Sequence, residues 1–372
     1  MTTLTPEEHP FATFIRMLGK GQRGARDLSE AEACQAMGLL LEGQVQPVQL
    51  GAFLMLLRHK EETAEELAGF TRAVRQRLQA PALPVDLDWP SYAGKKRHLP
   101  WYLLAARCLA QNGIRIFMHG AGPHTAGRLY TEQLLSILDI PDCQDWKAVR
   151  QALDQQQLAF MSLGRWMPAL QEMIGLRPLL GLRSPIHSLA RGLNPLAARC
   201  SLQSIFHPGY QPVHQQASAL LGDQAIVIKG EGGEVEVNPD SPALLLGTSA
   251  GQLWEEEWPA SGEQRQVKPE RLDPAHLLAV WQGRQADPDG EQAIIGTMAL
   301  GLRGLGQPMA EALAPARQRR RERNGQATGL PSNPASCPPS RTTPPILSSV
   351  GACTPLSRTL AGQSARGLAT PP

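Results

Sequence analysis

Residues Leu99 to Gly120 read LPWYLLAARCLAQNGIRIFMHG, a helix-length apolar stretch followed at once by a short run of β type. Leu103, Leu104 and Leu109 make Leu99–Asn112 a buried helix, with Trp101 read as core at its start. Ile114–Met118 then reads as a strand. Outward from this pair, Val85–Asp88, Leu158–Met161 and Ala225–Lys229 are further short apolar runs of strand type. A helix is expected over Tyr130–Leu138, and the Gly-rich, acidic segment Gly230–Val237 reads as a loop leading into a short strand. Strands alternating with helices predict an α/β sheet with helices on its faces. Ligand sites in such sheets gather at the carboxyl ends of strands, where Met118-His119-Gly120 would lie.

The first eighty residues have a different character. Ser29 with Glu32 and Thr63 with Glu66 fit capping boxes, the second opening a helix that runs to about Gln79. Between them, Leu50, Phe53, Leu54 and Leu57 recur at helical spacing within Val48–Lys60. Pro81 and Pro84 break the pattern. The expected organisation is a helical domain over 1–80, joined by helices near 165–182, an α/β domain over 81–323, and a tail over 324–372. That tail is rich in Pro, Ser, Thr, Gly and Arg and reads as disordered. Arg317, Arg319, Arg320, Arg321 and Arg323 precede it, as a helix C-terminus or a polyanion contact.

The formal net charge is only +2, yet Trp89–Thr131 holds no acidic residue while carrying Lys95, Lys96, Arg97, Arg107, Arg115 and Arg128. Met173–Gly222 is likewise free of acids and carries Arg177, Arg183, Arg191 and Arg199 with His187, His207 and His214. If the two runs meet, they form a positive surface suited to phosphates; otherwise the charges scatter over opposite solvated faces. No apolar run approaches the roughly 20 residues of a membrane span. Glu7 and Glu8 stand where a signal peptide would be positive, so a cytoplasmic location is expected. The six cysteines show neither zinc nor redox spacing. Ser91 and Ser184 lack an adjacent base, and no P-loop or metal-ligand cluster is present in the pattern.

Several segments are shared with a known family. Gly51-Ala52-Phe53-Leu54-Met55, Glu65-Glu66-Leu67-Ala68-Gly69, the arginine-to-Asn-Pro spacing from Arg183 to Asn194-Pro195, and the strand ending in Met118-His119-Gly120 resemble the anthranilate phosphoribosyltransferase family over about residues 10–310. The resemblance implies an α-helical domain plus a large α/β domain of the phosphoribosyltransferase–nucleoside phosphorylase type. The departures fall on the family's chemistry. Its Gly-Thr-Gly-Gly-Asp diphosphate loop is replaced by Trp89-Pro90-Ser91-Tyr92-Ala93-Gly94-Lys95-Lys96-Arg97, and its Lys-His-Gly-Asn by Met118-His119-Gly120-Ala121. Its magnesium-holding Asp-Glu pair falls at Val235-Glu236, which leaves Glu231, Glu234 or Glu236 as candidates for a hydrated ion. The Gly-Pro before the Asn-Pro pair is Ala190-Arg191.

Asp88-Trp89-Pro90-Ser91-Tyr92 and Leu99-Pro100-Trp101 resemble the YbiB-like branch of that family. This resemblance implies a homodimer that binds DNA and RNA in a basic groove, with no transferase activity and no cofactor. On that reading Lys95, Lys96, Arg97 and His98 line the old diphosphate site, Gly94 turns the loop and Tyr92 stacks on a base. Arg128 would contact phosphate from a helix start, and Arg183, Arg191 and Arg199 would form one strip at a spacing of eight. His119 and His207 would either contact phosphate when protonated or be structural. Neutralising about five phosphates gives a log K against log salt slope of roughly −4.5, and alanine at Lys95, Lys96 and Arg97 would flatten it. Two rivals stand beside this: a working phosphoribosyl- or glycosyltransferase using magnesium and phosphoribosyl pyrophosphate, and a protein-interaction module with a basic face.

Overall fold

Ser29 and Thr63 open helices as their spacing predicts. Each side chain accepts the N–H of the glutamate three residues on, and each glutamate accepts the cap's own N–H. In the computed structural model, which describes residues 8–21, 23–262 and 271–328, the chain begins with α1 (Ala12–Gly19), α2 (Glu30–Leu41), α3 (Pro47–Lys60) and α4 (Ala64–Arg77). The cap at Thr63 does more than start a helix. Glu66 is fully buried, pairs with Lys60 at 2.6 Å and accepts Leu28 N–H at 2.9 Å, which pins the start of α2 to the end of α3.

The alternating part follows as β1 (Leu87–Ser91), α5 (Trp101–Gln111), β2 (Ile116–Gly120), α6 (Trp146–Gln156) and β3 (Leu158–Ser162). Short helices α7 (Leu163–Trp166), α8 (Pro168–Gly175), α9 (Arg177–Leu180) and α10 (Ile186–Leu189) come next. Then come β4 (Cys200–Ile205), α11 (Gln211–Leu221), β5 (Ala225–Lys229), β6 (Ala243–Ser249) and β7 (Gln252–Trp258). The described chain closes with α12 (Pro274–Trp281), α13 (Pro288–Gly304) and α14 (Met309–Thr328). The sheet runs β3-β2-β1-β4-β5-β6-β7, parallel through β5, with β6 and β7 antiparallel at the edge.

Period-two alternation sorts the core into two layers. Ile116 and Met118 of β2 pack with α5, α13 and α14, while Phe117 faces the other way, into a cluster built by α2, α4 and α8. Leu170, Met173 and Ile174 of α8 belong to that helical cluster. Arg75 of α4 holds the helices to the sheet layer, bonding Asp223 at 3.0 and 2.5 Å and the Leu193 carbonyl at 2.8 Å.

Some expectations are corrected. Tyr130–Leu138 is not an α-helix but a single 3₁₀ turn over Thr131–Leu134. Gly230–Val237 enters no strand; it makes a 3₁₀ turn over Glu231–Gly233 and continues without regular structure to β6. The arginine knot lies inside α14 rather than at its end. Arg320 there is buried against Glu291 at 3.0 Å, and Arg323 stacks on Trp281 at 4.0 Å, so both pack rather than reach for a polyanion. The tail expectation falls almost wholly on residues outside those described. Among the described residues, no helix is long and apolar enough to cross a membrane, and Cys34, Cys108, Cys143 and Cys200 are free thiols.

Candidate functional site

β1, β2, β4 and β5 end together at Ser91, Gly120, Ile205 and Lys229, and the loops beyond those ends build the site. Tyr92, first residue past β1, turns inward and is 2% exposed. Its hydroxyl lies 2.7 Å from His119 Nδ1, His119 Nε2 lies 3.0 Å from Asp88 Oδ1, and Ser201 Oγ donates to Asp88 Oδ2 at 2.8 Å. A carboxylate accepts, so His119 Nε2–H donates to Asp88, and Nδ1 is left facing the tyrosine hydroxyl. Burial beside Asp88 raises the Tyr92 phenol well above its ordinary value. Tyr92 is therefore no platform for a base, and His119 is no phosphate contact. Both belong to a buried relay that clamps β1, β2 and β4 together.

The next residues are closed by the acidic loop after β5. Gly94 adopts φ +68°, the turn for which glycine is suited. The amides of Ala93 and Gly94 both donate to Glu234 Oε1, at 2.7 and 2.6 Å. Lys95 is 0% exposed, its Nζ 2.5 Å from Glu236 Oε1, whose other oxygen accepts Tyr102 N–H at 2.8 Å. Backbone bonds at 2.8 Å in both directions tie Lys95 to Leu129. Arg128 donates to the carbonyls of Ala93, Gly94 and Gly232. Lys95 and Arg128 thus hold the loop shut instead of meeting phosphate, and Arg128 has no helix start behind it.

Magnesium diphosphate does not fit this arrangement. The amides that would cradle it are taken by Glu234, and Glu236, the remaining member of the expected acidic pair, is neutralised by Lys95. Burial raises the pKa of both glutamates, with Arg191 opposing at Glu234 and Lys95 at Glu236. Among the described residues, no group of three His, Cys, Asp or Glu is placed to hold a metal ion.

Outside this closed layer the cations are free. Lys96 and Arg97 are exposed and make no ion pair with a described residue. His98 is half-buried, with its pKa lowered mainly by burial. Arg183 is partly exposed and bonds only Thr125 Oγ1, at 3.3 Å. His207 is exposed just beyond β4. Arg191 is buried, donating to the carbonyls of His187, Ser204 and Gly233. The arginine strip does not form: Arg199 precedes β4, pairs with Asp86 at 3.1 Å and lies at the amino end of the sheet. Arg115 pairs with Asp154 beside the start of β2, and Arg107 packs on Trp281 at 4.3 Å. The two acid-free runs therefore meet only in part.

Three residues at this end escaped the sequence reading. Arg58 comes from α3 and donates to Tyr210 OH at 3.2 Å; Lys229 ends β5; Phe206 is 50% exposed after β4. Only Lys229, a charge closing an apolar run, left a local signal.

Burial also sets an acid limit. His214 is fully buried, Nδ1 2.9 Å from Gln203 Oε1, and burial beside Arg191 pushes its pKa down to about 3. The unfolded chain takes up that proton near 6.5, so the stability tied to a neutral His214 is present above that pH and is lost as pH falls toward 3. Between pH 7 and 5 the loss is at most about 2 kcal/mol from this group. Urea denaturation at the two pH values measures it, and H214Q is expected to show a smaller loss.

A sequence profile of the glycosyl transferase family, helical bundle domain, matches residues 12–78. The protein YbiB of Escherichia coli, itself uncharacterised, is 29% identical over 280 residues, 73% of this chain and 86% of that one. Anthranilate phosphoribosyltransferase of Anaeromyxobacter dehalogenans is 32% identical over 210 residues, 55% of this chain and 62% of that one. Over residues 12–78 this chain carries the helical bundle domain of the glycosyl transferase family, and beyond it the chain is similar to anthranilate phosphoribosyltransferases. The enzyme of that name from Thermus thermophilus shares its fold, with a TM-score of 0.68 at 22% identity over 84% of this chain and 96% of that one. The phosphoribosyltransferase-like architecture, helical bundle plus α/β domain, is thereby established, while the closed loop described above is a matter of this chain's own residues.

Proposed function

We propose that this chain binds DNA or RNA through the phosphate backbone, without sequence preference, at the carboxyl end of its sheet. Lys96, Arg97 and Arg183 are the permanent cations of that surface, with His98 and His207 at its edge. The observation that carries the reading is the contrast within one loop. Ala93, Gly94 and Lys95 are satisfied by Glu234 and Glu236, whereas Lys96 and Arg97 stand in solvent without an acidic partner. Released counterions would supply the affinity, so binding needs no magnesium. Three cations replace the five contacts expected from sequence, which lowers the slope of log K against log salt to roughly −2.7. A homodimer and a cytoplasmic setting belong to the same reading.

The transferase rival needs amides and carboxylates that are already bonded to partners within the chain. Gel shift of single- and double-stranded oligonucleotides in EDTA, with and without phosphoribosyl pyrophosphate, separates the two. Retardation in EDTA that phosphoribosyl pyrophosphate does not relieve supports the proposal. Turnover of phosphoribosyl pyrophosphate with an aromatic amine, and no retardation, would replace it with the transferase. A pull-down that survives nuclease treatment would point to an acidic protein partner instead.

A further inference from the structure

Beside the loop lies a cavity of about 120 Å³ between α3, α10 and the turn after β4. Arg58, Arg183, Arg191, His187 and His207 line it with Ser184, and no carboxylate does. Its Phe206 edge lies near the loop after β1, since a side-chain carbon on Gly233 would touch both Ala93, at 3.2 Å, and Phe206, at 3.6 Å. We propose that this cavity receives the terminal phosphate of a nucleic-acid strand, in preference to internal backbone. The inference rests on the nucleic-acid reading above and assigns one end of the strand a seat within it.

The lining offers donors and one unusual acceptor. His187 Nδ1 lies 3.1 Å from the Ser184 carbonyl, which can only accept, so Nδ1 carries the ring proton. Nε2 then presents a bare lone pair, and it is buried without a partner, as is Ser184 Oγ. Burial, together with His124 and the neighbouring arginines, pushes the His187 pKa down to about 3, so the ring stays neutral at working pH. A ligand that satisfies this lining must be anionic toward Arg58, Arg183 and Arg191 and must donate a proton to Nε2. A phosphomonoester can do both in its monoanionic form, which keeps one P–OH for Nε2 while its remaining oxygens face the arginines; with a second pKa near 6, holding that proton costs only about one unit at pH 7. An internal phosphodiester carries the same single charge but has no proton to give, so the proton and not the charge is what separates the two. The volume agrees, being well below the roughly 300–1,000 Å³ of sites that enclose a whole drug-sized ligand. Phe206 stands half exposed at the lip, placed to stack on the terminal base.

The test uses single strands of about twelve nucleotides with one sequence and three ends: 5′-phosphorylated, 3′-phosphorylated and unphosphorylated. Anisotropy in EDTA is expected to show one phosphorylated form binding about tenfold more tightly than the unphosphorylated strand. R58A, which leaves the buried relay untouched, is expected to bring the two to equal affinity. Equal affinity of all three strands for the unaltered protein overturns the end-binding inference and leaves the groove standing. A tenfold preference that persists in both R58A and H187F also overturns it, because the preference then arises elsewhere. Binding of none of the strands removes the groove and the inference together.

Discussion

Lys95→Met is expected to destabilise the protein by about 3–5 kcal/mol, whereas Lys96→Met next to it should change stability by no more than about 0.5 kcal/mol. Lys95 Nζ lies 2.5 Å from Glu236 and also reaches the Glu231 carbonyl at 3.3 Å. Removing the ammonium leaves Glu236 buried with one N–H donor, that of Tyr102, and no counter-charge. A buried carboxylate deprived of its cation costs several kcal/mol, or else takes up a proton. The raised pKa of Glu236 already leans that way, and Lys95 is the larger force holding it down. In K95M the folded-state pKa of Glu236 rises further above its unfolded value, so the lost stability returns as pH falls below that raised pKa. Denaturant titration at pH 7 and pH 5 checks both parts; a K95M protein as stable as the parent would mean that the pair does not hold the loop.

The second large effect concerns binding. K96A/R97A removes two of the three permanent cations without touching a described hydrogen bond or ion pair. Each phosphate contact contributes about 0.9 to the salt slope, so the slope should fall from roughly −2.7 to about −0.9. At 0.1 M salt the same arithmetic gives about a sixty-fold loss of affinity. Stability should stay within about 0.5 kcal/mol of the parent, since both side chains are exposed. This double variant replaces the triple change at Lys95, Lys96 and Arg97 suggested by sequence, because altering Lys95 would confound binding with unfolding.

The fold was legible where local chemistry is strong. Capping boxes at Ser29 and Thr63 and the apolar runs before Gly120, Ser162 and Gly230 all mark real elements. β4 was missed because Cys200–Ile205 interrupts Cys, Leu and Ile with Ser, Gln and Ser and keeps no clean alternation, the polar side chains being spent inside the sheet. Ser201 bonds Asp88, and Gln203 bonds His214 and Ser218. The candidate site was legible only in outline. Absence of acids along the chain says nothing about acids brought from elsewhere, and Glu234 and Glu236 arrive from about 140 residues away. Lys95 and Lys96 are indistinguishable in the sequence, yet one is buried and the other solvated. Arg58 comes from the helical domain, across a distance no local pattern encodes.

The Glu234 bonds also set this chain's loop apart from an open phosphate cradle. The amides of Ala93 and Gly94 are taken by Glu234, and Glu236 is taken by Lys95, inside this chain. What remains at the surface is charge without a cradle, suited to a repeating polyanion rather than to one diphosphate.

Phosphate-backbone binding is tested most directly by fluorescence anisotropy of the unaltered chain with a labelled single strand, in EDTA, from 50 to 300 mM salt, over which the Debye length falls from about 14 to about 6 Å. Magnesium-independent binding is expected, with log K falling linearly with log salt at a slope of roughly −2.1 on the single strand, against roughly −2.7 on a duplex. No binding at the lowest salt, or binding whose affinity does not change with salt, would contradict it.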